Sequence, residues 1–385
     1  VTEPDPLSAI PLERLRRRTS MKWRVYAEDV LPLWVAEMDA AIAEPVVRAV
    51  ADTMALGDTG YPRGAAYQEA FAAFAGERWG WTPEPGRMRL VTDVMLGIVE
   101  ALGVLTAPGD AVVINPPVYP PFAGYVQYSG RQVLTVPLGE DLRLDLQGLE
   151  EAFAGERGPR PAAYLLCNPH NPTGTQHTPD ELAAVARLAE AYGVRVVVDE
   201  VHGPVELPGA RFTPFLTVPG GGRGIVLTSA SKAWSLAGIK AALMIAGDGA
   251  AGDLARVPYE ASGGASHLGV IAHVAALREG GLWLDALLTG LTRNRDLLGE
   301  LLARHVPGVV YHPPQATYLA WLDCRALGLE VEPARVFLHQ GRVAFNAGAS
   351  FGEGGDGHVR VNLATSPEIL TEAVRRMAGA LTGPA

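Results

Sequence analysis

Three short segments carry residue types that can do chemistry: CNPHNPTG (Cys167–Gly174), VVDEVHG (Val197–Gly203) and TSASKAWSLAGIK (Thr228–Lys240). Each is weak alone. An Asn-Pro pair is usually a turn, an aspartate after a strand is often a helix cap, and a single lysine is normally a surface charge. Their order and spacing make them informative together, with 199 − 171 = 28 residues from Asn171 to Asp199 and 232 − 199 = 33 from Asp199 to Lys232. Lys232 sits among Ser, Ala, Trp and Leu, so it is poorly solvated. Desolvation disfavours the ammonium and leaves an amine able to form a Schiff base with an aldehyde.

Such residues need a scaffold that brings them to one place, and the apolar pattern supplies it. Each segment follows or includes the end of an apolar run: AYLLC (Ala163–Cys167), VRVVV (Val194–Val198) and GIVLTS (Gly224–Ser229). AVVI (Ala111–Ile114), QVLTV (Gln132–Val136) and AALMIAG (Ala241–Gly247) are further strand candidates. None alternates polar with apolar, as expected for strands covered on both faces. Helical patterns lie between them, the clearest being TPDELAAVARLAEAYG, with Thr178 as cap, Pro179 at the first helical position and Gly193 as terminator. Alternating β and α units predict an α/β fold with a mostly parallel, doubly wound sheet and ligands at the C-terminal strand ends. Beyond residue 250 the pattern changes. A leucine-striped helix over Leu284–His305, a strand pair in TYLAWLDC and HVRVNLA, and the helical PEILTEAVRRMAGAL predict a smaller α+β domain. The stripe lacks sustained heptads, so it is core packing rather than a zipper.

Composition excludes several classes of function. In 385 residues, 32 Lys and Arg against 42 Asp and Glu give a net charge of −10, the wrong sign for a nucleic-acid binder. No stretch is long and apolar enough to span a membrane. The two cysteines, Cys167 and Cys324, are too few for a disulfide framework or a cysteine metal site, and no other metal-ligand cluster is present. The basic run ending at Arg18 is followed by TSMKWRVYAEDV, not by an apolar export region, and reads as a solvated face. A cytoplasmic protein is expected. Two motif matches in GASFGEGGDGHVR, a G-x-S-x-G over Gly348–Gly352 and a G-x-G-x-x-G from Gly352 to Gly357, are set aside. Both need a helix after the turn, and here a strand pattern follows.

The order Asn-Pro…Asp-Glu-x-His…Ser-x-Ser-Lys resembles fold-type I pyridoxal 5′-phosphate (PLP) enzymes of the class I/II aminotransferase superfamily. KWRVY, LPLWVAEMDA, PVYPPF, the histidine of NPHNPTG, DEVHG, GGLWL, TYLAWLDC and RVNLA narrow the resemblance to the cystathionine β-lyase-like (MalY/PatB) branch. Matches run from Lys22 to Thr365. The resemblance implies the aspartate-aminotransferase-like fold, with a large PLP-binding domain over 41–283 and a small domain from 1–40, including the N-terminal arm, and 284–385. It implies that Lys232 binds the cofactor covalently and later moves the substrate α-proton, that Asp199 pairs with the ring nitrogen, and that Asn171 donates to the ring hydroxyl oxygen. Tyr119 would stack on the ring and His202 would support Asp199. Ser229, Ser231, Lys240 and the helix start at Val94 and Met95 would hold the phosphate. Tyr61 would reach the phosphate of a neighbouring subunit, which implies a homodimer with interfacial active sites. Arg360 would grip the α-carboxylate of an amino-acid substrate, beside Trp34 and Ala36, although Trp34, like Trp283, also suits a core. Cys167 reads as an inert buried thiol and His170 as a turn-packing residue.

The sequence departs from the family pattern in three places. VTDVM (Val91–Met95) replaces a Gly-containing T-P-G-V-V turn, Glu37 replaces the first aspartate of W-x-A-D-M-D, and Ser235 stands where an asparagine usually follows the lysine. None touches the lysine–aspartate pair, but they leave the reaction outcome open. The resemblance favours β-elimination of L-cystathionine or another L-cysteine S-conjugate to thiol, pyruvate and ammonia. The alternative is transamination.

Overall fold

The apolar runs become the central strands of a seven-stranded sheet. The computed structural model describes residues 3–382. In chain order its strands are β1 (Leu31–Pro32), β2 (Met88–Val91), β3 (Ala111–Ile114), β4 (Gln132–Thr135), β5 (Pro161–Cys167), β6 (Arg195–Asp199), β7 (Ile225–Thr228), β8 (Ala242–Ala246), β9 (Val310–Tyr311), β10 (Leu319–Asp323), β11 (Val343–Ala344), β12 (Asn346–Ala347) and β13 (His358–Asn362). The large sheet has the order β2-β8-β7-β6-β5-β3-β4. From β7 to β4 all neighbours are parallel, while β8 runs antiparallel to both β7 and β2. Val197, Val198, Val226 and Leu227 are fully buried, and two apolar clusters, one on each face, sandwich the sheet. Each such side chain contributes roughly 1.5–3 kcal/mol by leaving water.

The helix Pro179–Tyr192 returns the chain from β5 to β6. Its capping box is complete: Glu181 N–H donates to Thr178 Oγ1 at 3.2 Å, Thr178 N–H donates to Glu181 Oε2 at 2.7 Å, and Gly193 closes it at φ 73°. β9, β10, β12 and β13 form a separate antiparallel sheet with order β12-β13-β10-β9, against which the helix Pro333–His339 packs, while the 25-residue helix Gly281–His305 packs on the helix Pro367–Thr382.

The arm over residues 31–39 opens in a third, two-stranded sheet and runs on to the small antiparallel one. β1 pairs with β11, and Asp39 N–H donates to the Ala364 carbonyl at 2.8 Å. The KW and MD pairs of the sequence meet here. Lys22 Nζ lies 2.8 Å from Asp39 Oδ2, and Trp23 Nε1 donates to Oδ1 at 3.0 Å, all buried. A pair this deeply buried is costly to break, since removing one partner strands the other charge. The basic run is not a solvated face throughout: Arg18 donates to the carbonyls of Met38 (2.9 Å) and Ala40 (2.8 Å), and Leu15 is fully buried. No helix of the described residues is long and apolar enough to cross a membrane.

Candidate active site

β5, β6 and β7 end level with one another, Cys167 pairing with Asp199 and Asp199 with Leu227. The chain therefore leaves the sheet at one edge with Asn168–Asn171, Asp199–His202 and Thr228–Lys232 side by side. Beyond that edge lies a cleft of about 230 Å³, lined by Tyr119, Asp199, Lys232, Ser231, Lys240 and the helix start at Val94 and Met95.

Burial governs the electrostatics of the deep end. It lowers Lys232 from 10.5 to about 8, the Arg360 charge pushing the same way and Asp199 opposing. Burial also raises Asp199 to about 6, against the Val201 N–H that donates to its Oδ1 at 3.0 Å and the charge of Lys232. At neutral pH the carboxylate is ionised and the amine is within reach of deprotonation. Lys232 Nζ donates to the Ala36 carbonyl at 3.3 Å.

Arg360 lies in β13, 2% exposed. One terminal nitrogen donates to Asn171 Oδ1 at 2.9 Å and the other to the Trp34 carbonyl at 3.0 Å, while Nε is buried without a partner. No carboxylate pairs with it among the described residues. Burial lowers it to about 10, so it stays charged at neutral pH. A buried guanidinium met only by neutral acceptors is set to take a carboxylate. Trp34 and Ala36 act here through their carbonyls. The extended arm alternates, sending the Val35 and Glu37 carbonyls to Asn362 Nδ2 (2.7 and 2.6 Å) and those of Trp34 and Ala36 to Arg360 and Lys232.

The other end of the cleft is rich in donors. Asp93 caps the helix Val94–Leu105 by accepting from Leu96 N–H at 2.9 Å, and the Val94 and Met95 N–H groups have no helical acceptor. Lys240 is half exposed and pairs with Asp93 Oδ2 at 3.0 Å. Ser229 Oγ donates to the Ala241 carbonyl at 2.7 Å and accepts from Ser231 N–H at 3.1 Å, so it shapes the turn, and both serines line the cleft. An amine, a buried carboxylate, a helix N-terminus with a lysine, and an arginine whose Nε has no partner fit a flat phosphorylated aldehyde such as PLP with an amino acid beside it.

The sequence comparisons agree with that geometry. The family model described as aminotransferase class I and II matches residues 29–377. This chain belongs to that family. It is 54% identical to a protein of Mycobacterium leprae over 98% of both chains, and 34% identical to the cystathionine beta-lyase of Corynebacterium glutamicum, covering 96% of this chain and 99% of that one. The solved PLP-bound C-S lyase of Staphylococcus hominis superposes with a TM-score of 0.88 at 25% identity, over 96% of each chain.

Family membership places the remaining candidates in context. Tyr61 is 91% exposed and lines a separate groove, away from the cleft. His202 follows β6 in a turn and makes no hydrogen bond to Asp199; its ring meets Tyr318 edge-on at 5.7 Å, Nδ1 has no partner, and burial holds it neutral. Cys167 is buried, and burial raises its thiol well above the usual range. The loop of the two motif matches does run into strand β13.

Three residues to which the motifs give no role also support the site. Tyr318 Oη donates to the Ala36 carbonyl at 3.0 Å. Tyr67 Oη accepts from Ala230 N–H at 3.3 Å, inside the lysine turn, and pairs with His273 Nδ1 at 2.9 Å. Glu200 accepts from Phe215 N–H at 2.7 Å and from Asn168 Nδ2 at 3.2 Å, and burial raises it from 4.5 to about 8. A carboxyl raised on folding gives stability that is complete below its unfolded value and is lost as pH rises through the folded one. Glu200→Gln, which keeps the neutral shape, should lessen the loss of thermal stability between pH 6 and pH 8.5 by about a few degrees, measured by melting curves. Equal pH dependence in both proteins would rule this account out.

Proposed function

We propose that this protein is a PLP-dependent carbon–sulfur β-lyase that converts L-cystathionine or another L-cysteine S-conjugate to a thiol, pyruvate and ammonia. The observation that carries the reading is the desolvated Lys232 between Asp199 and a buried Arg360 that has no anionic partner. When bound, PLP supplies an aldehyde that takes an amino group and a protonated ring that draws electrons from the α-carbon.

The chain's own residues do the rest. Lys232 Nζ would hold the cofactor through its aldehyde and, as a free amine beside bound substrate, would take the α-proton. Asp199 keeps the ring nitrogen protonated. Asn171 spends Oδ1 on Arg360, which leaves its amide N–H groups for the ring oxygen. Tyr119 packs against the ring, and Ser229, Ser231, Lys240 and the Val94 and Met95 N–H groups take the phosphate. Arg360 takes the α-carboxylate, beside the backbone of Trp34 and Ala36. The protein works as a cytoplasmic homodimer in which Tyr61 reaches the partner's phosphate, with a cofactor domain over 41–283 and a small domain over 1–40 and 284–385. The names of the Corynebacterium and Staphylococcus relatives support elimination over transamination.

Purified protein should release pyruvate from L-cystathionine with no added 2-oxo acid. Pyruvate that appears only when an acceptor 2-oxo acid is supplied would overturn the lyase assignment in favour of the aminotransferase alternative.

A further inference from the structure

The glycine-rich loop dismissed as a motif match brings an aromatic ring onto the arginine. Gly348–Phe351 form a single turn, and β13 begins at His358, two residues before Arg360. The guanidinium carbon of Arg360 lies 5.0 Å from the centre of the Phe351 ring. Phe351 meets Trp321 edge-on at 5.2 Å, and Trp321 is the cross-strand partner of Arg360. His358 stacks on Trp321 at 5.0 Å, with 8° between planes. The result is a buried column His358–Trp321–Phe351–Arg360. The same loop reaches the cofactor side, because the Phe351 carbonyl accepts from Val118 N–H at 2.9 Å, one residue before Tyr119. Two glycines make the turn possible: Gly348 and Gly355 pack so closely that a Cβ on either would strike the other's carbonyl.

The guanidinium has neutral acceptors at both terminal nitrogens and none at Nε. Each terminal nitrogen keeps a second N–H, so its plane must be held for both to meet one carboxylate. An aromatic face carries the negative end of a quadrupole and attracts a cation laid over it. We propose that Phe351 is a positioning residue for substrate recognition: its ring fixes and polarises the Arg360 guanidinium for the substrate α-carboxylate, with Trp321 and His358 backing the ring. This rests on the reading of Arg360 as the carboxylate site of a PLP enzyme.

The test uses the PLP-loaded protein and two probes, L-alanine and L-alaninamide, with binding read from the visible absorption of the lysine-bound cofactor. The wild type should favour the acid over the amide. Phe351→Leu should cut that preference by a factor of about 3–30, the range of a partly to fully desolvated cation–π contact, while the resting absorption and PLP affinity stay unchanged. Phe351→Trp should keep the preference. Phenylalanines of increasing fluorination at position 351 keep the shape while weakening the ring's negative face, so they settle the matter even where the leucine variant folds poorly, and should lower the preference stepwise. A preference indifferent to fluorination, or to leucine in a well-folded protein, overturns the proposal. Absence of the resting visible band would instead overturn the cofactor reading, which keeps the two failures distinct.

Discussion

Lys232→Ala is expected to give a folded protein that lacks the visible absorption of lysine-bound cofactor and has lost turnover by about 10²–10⁴-fold, the scale of a lost proton-transfer group, or more. Folding should survive because Nζ makes one hydrogen bond, to the Ala36 carbonyl at 3.3 Å. The turn around it is held elsewhere, by Trp234 Nε1 donating to Gly280 at 3.1 Å and by Tyr67 beneath Ala230. The pH dependence of wild-type cofactor capture gives a second readout. The neutral amine is the nucleophile, and burial sets its midpoint at about 8 rather than 10.5. Capture of PLP by the apo-protein should therefore rise with pH through about 8 and level off above it. A variant that retains the lysine-type absorption, or a capture rate still climbing steeply at pH 10, would remove Lys232 from this role.

Parts of the fold were readable because burial on both faces leaves a plain signature. AYLLC, VRVVV and GIVLTS could only be inner strands, and Thr178, Pro179 and Gly193 mark helix ends by their own hydrogen-bonding and φ preferences. β2 escaped because MRLV is an edge strand with the charged, partly exposed Arg89 inside it, too mixed to stand out. The reversal of β8 also left no trace. AALMIAG is as apolar as its parallel neighbours, and direction depends on the connection from Thr228 to Ala242, which is the lysine turn instead of a crossover helix.

The site divides along similar lines. Lys232, Asp199 and Arg360 are charged residues in apolar surroundings, and that contrast is visible in the sequence. Tyr67 and His273 are 206 residues apart and resemble ordinary helix residues, so nothing local announces their contact. The arm was legible as a motif but not in its action, because Trp34 and Ala36 contribute carbonyls, which residue type does not encode. Structure also explains one departure from the family pattern. Ser235 has φ 58°, in the left-handed region that asparagine tolerates better than most residues, so the family's asparagine answers a backbone need that serine meets less well.

Asp199→Asn separates cofactor attachment from electronic activation. The amide can still accept the Val201 N–H that holds the carboxylate at 3.0 Å, so the β6 end should keep its shape. It has no charge with which to hold a proton on the ring nitrogen. Lys232 remains in place, and losing the carboxylate removes a charge that favours its ammonium form, so its amine becomes more available. The visible absorption of bound cofactor should therefore survive, in contrast to Lys232→Ala, while turnover falls on the order of 10²–10³-fold, the loss typical of removing one preorganised electrostatic partner. In the wild type a protonated ring nitrogen held by Asp199 would favour the ionised form of the carboxyl. The acid limb of its activity should then lie below the value of about 6 that burial imposes on Asp199. Near-wild-type turnover in the asparagine variant would show that the ring acts without a protonated nitrogen, and the branch of reactions open to this site would have to be drawn from Lys232 and Arg360 alone.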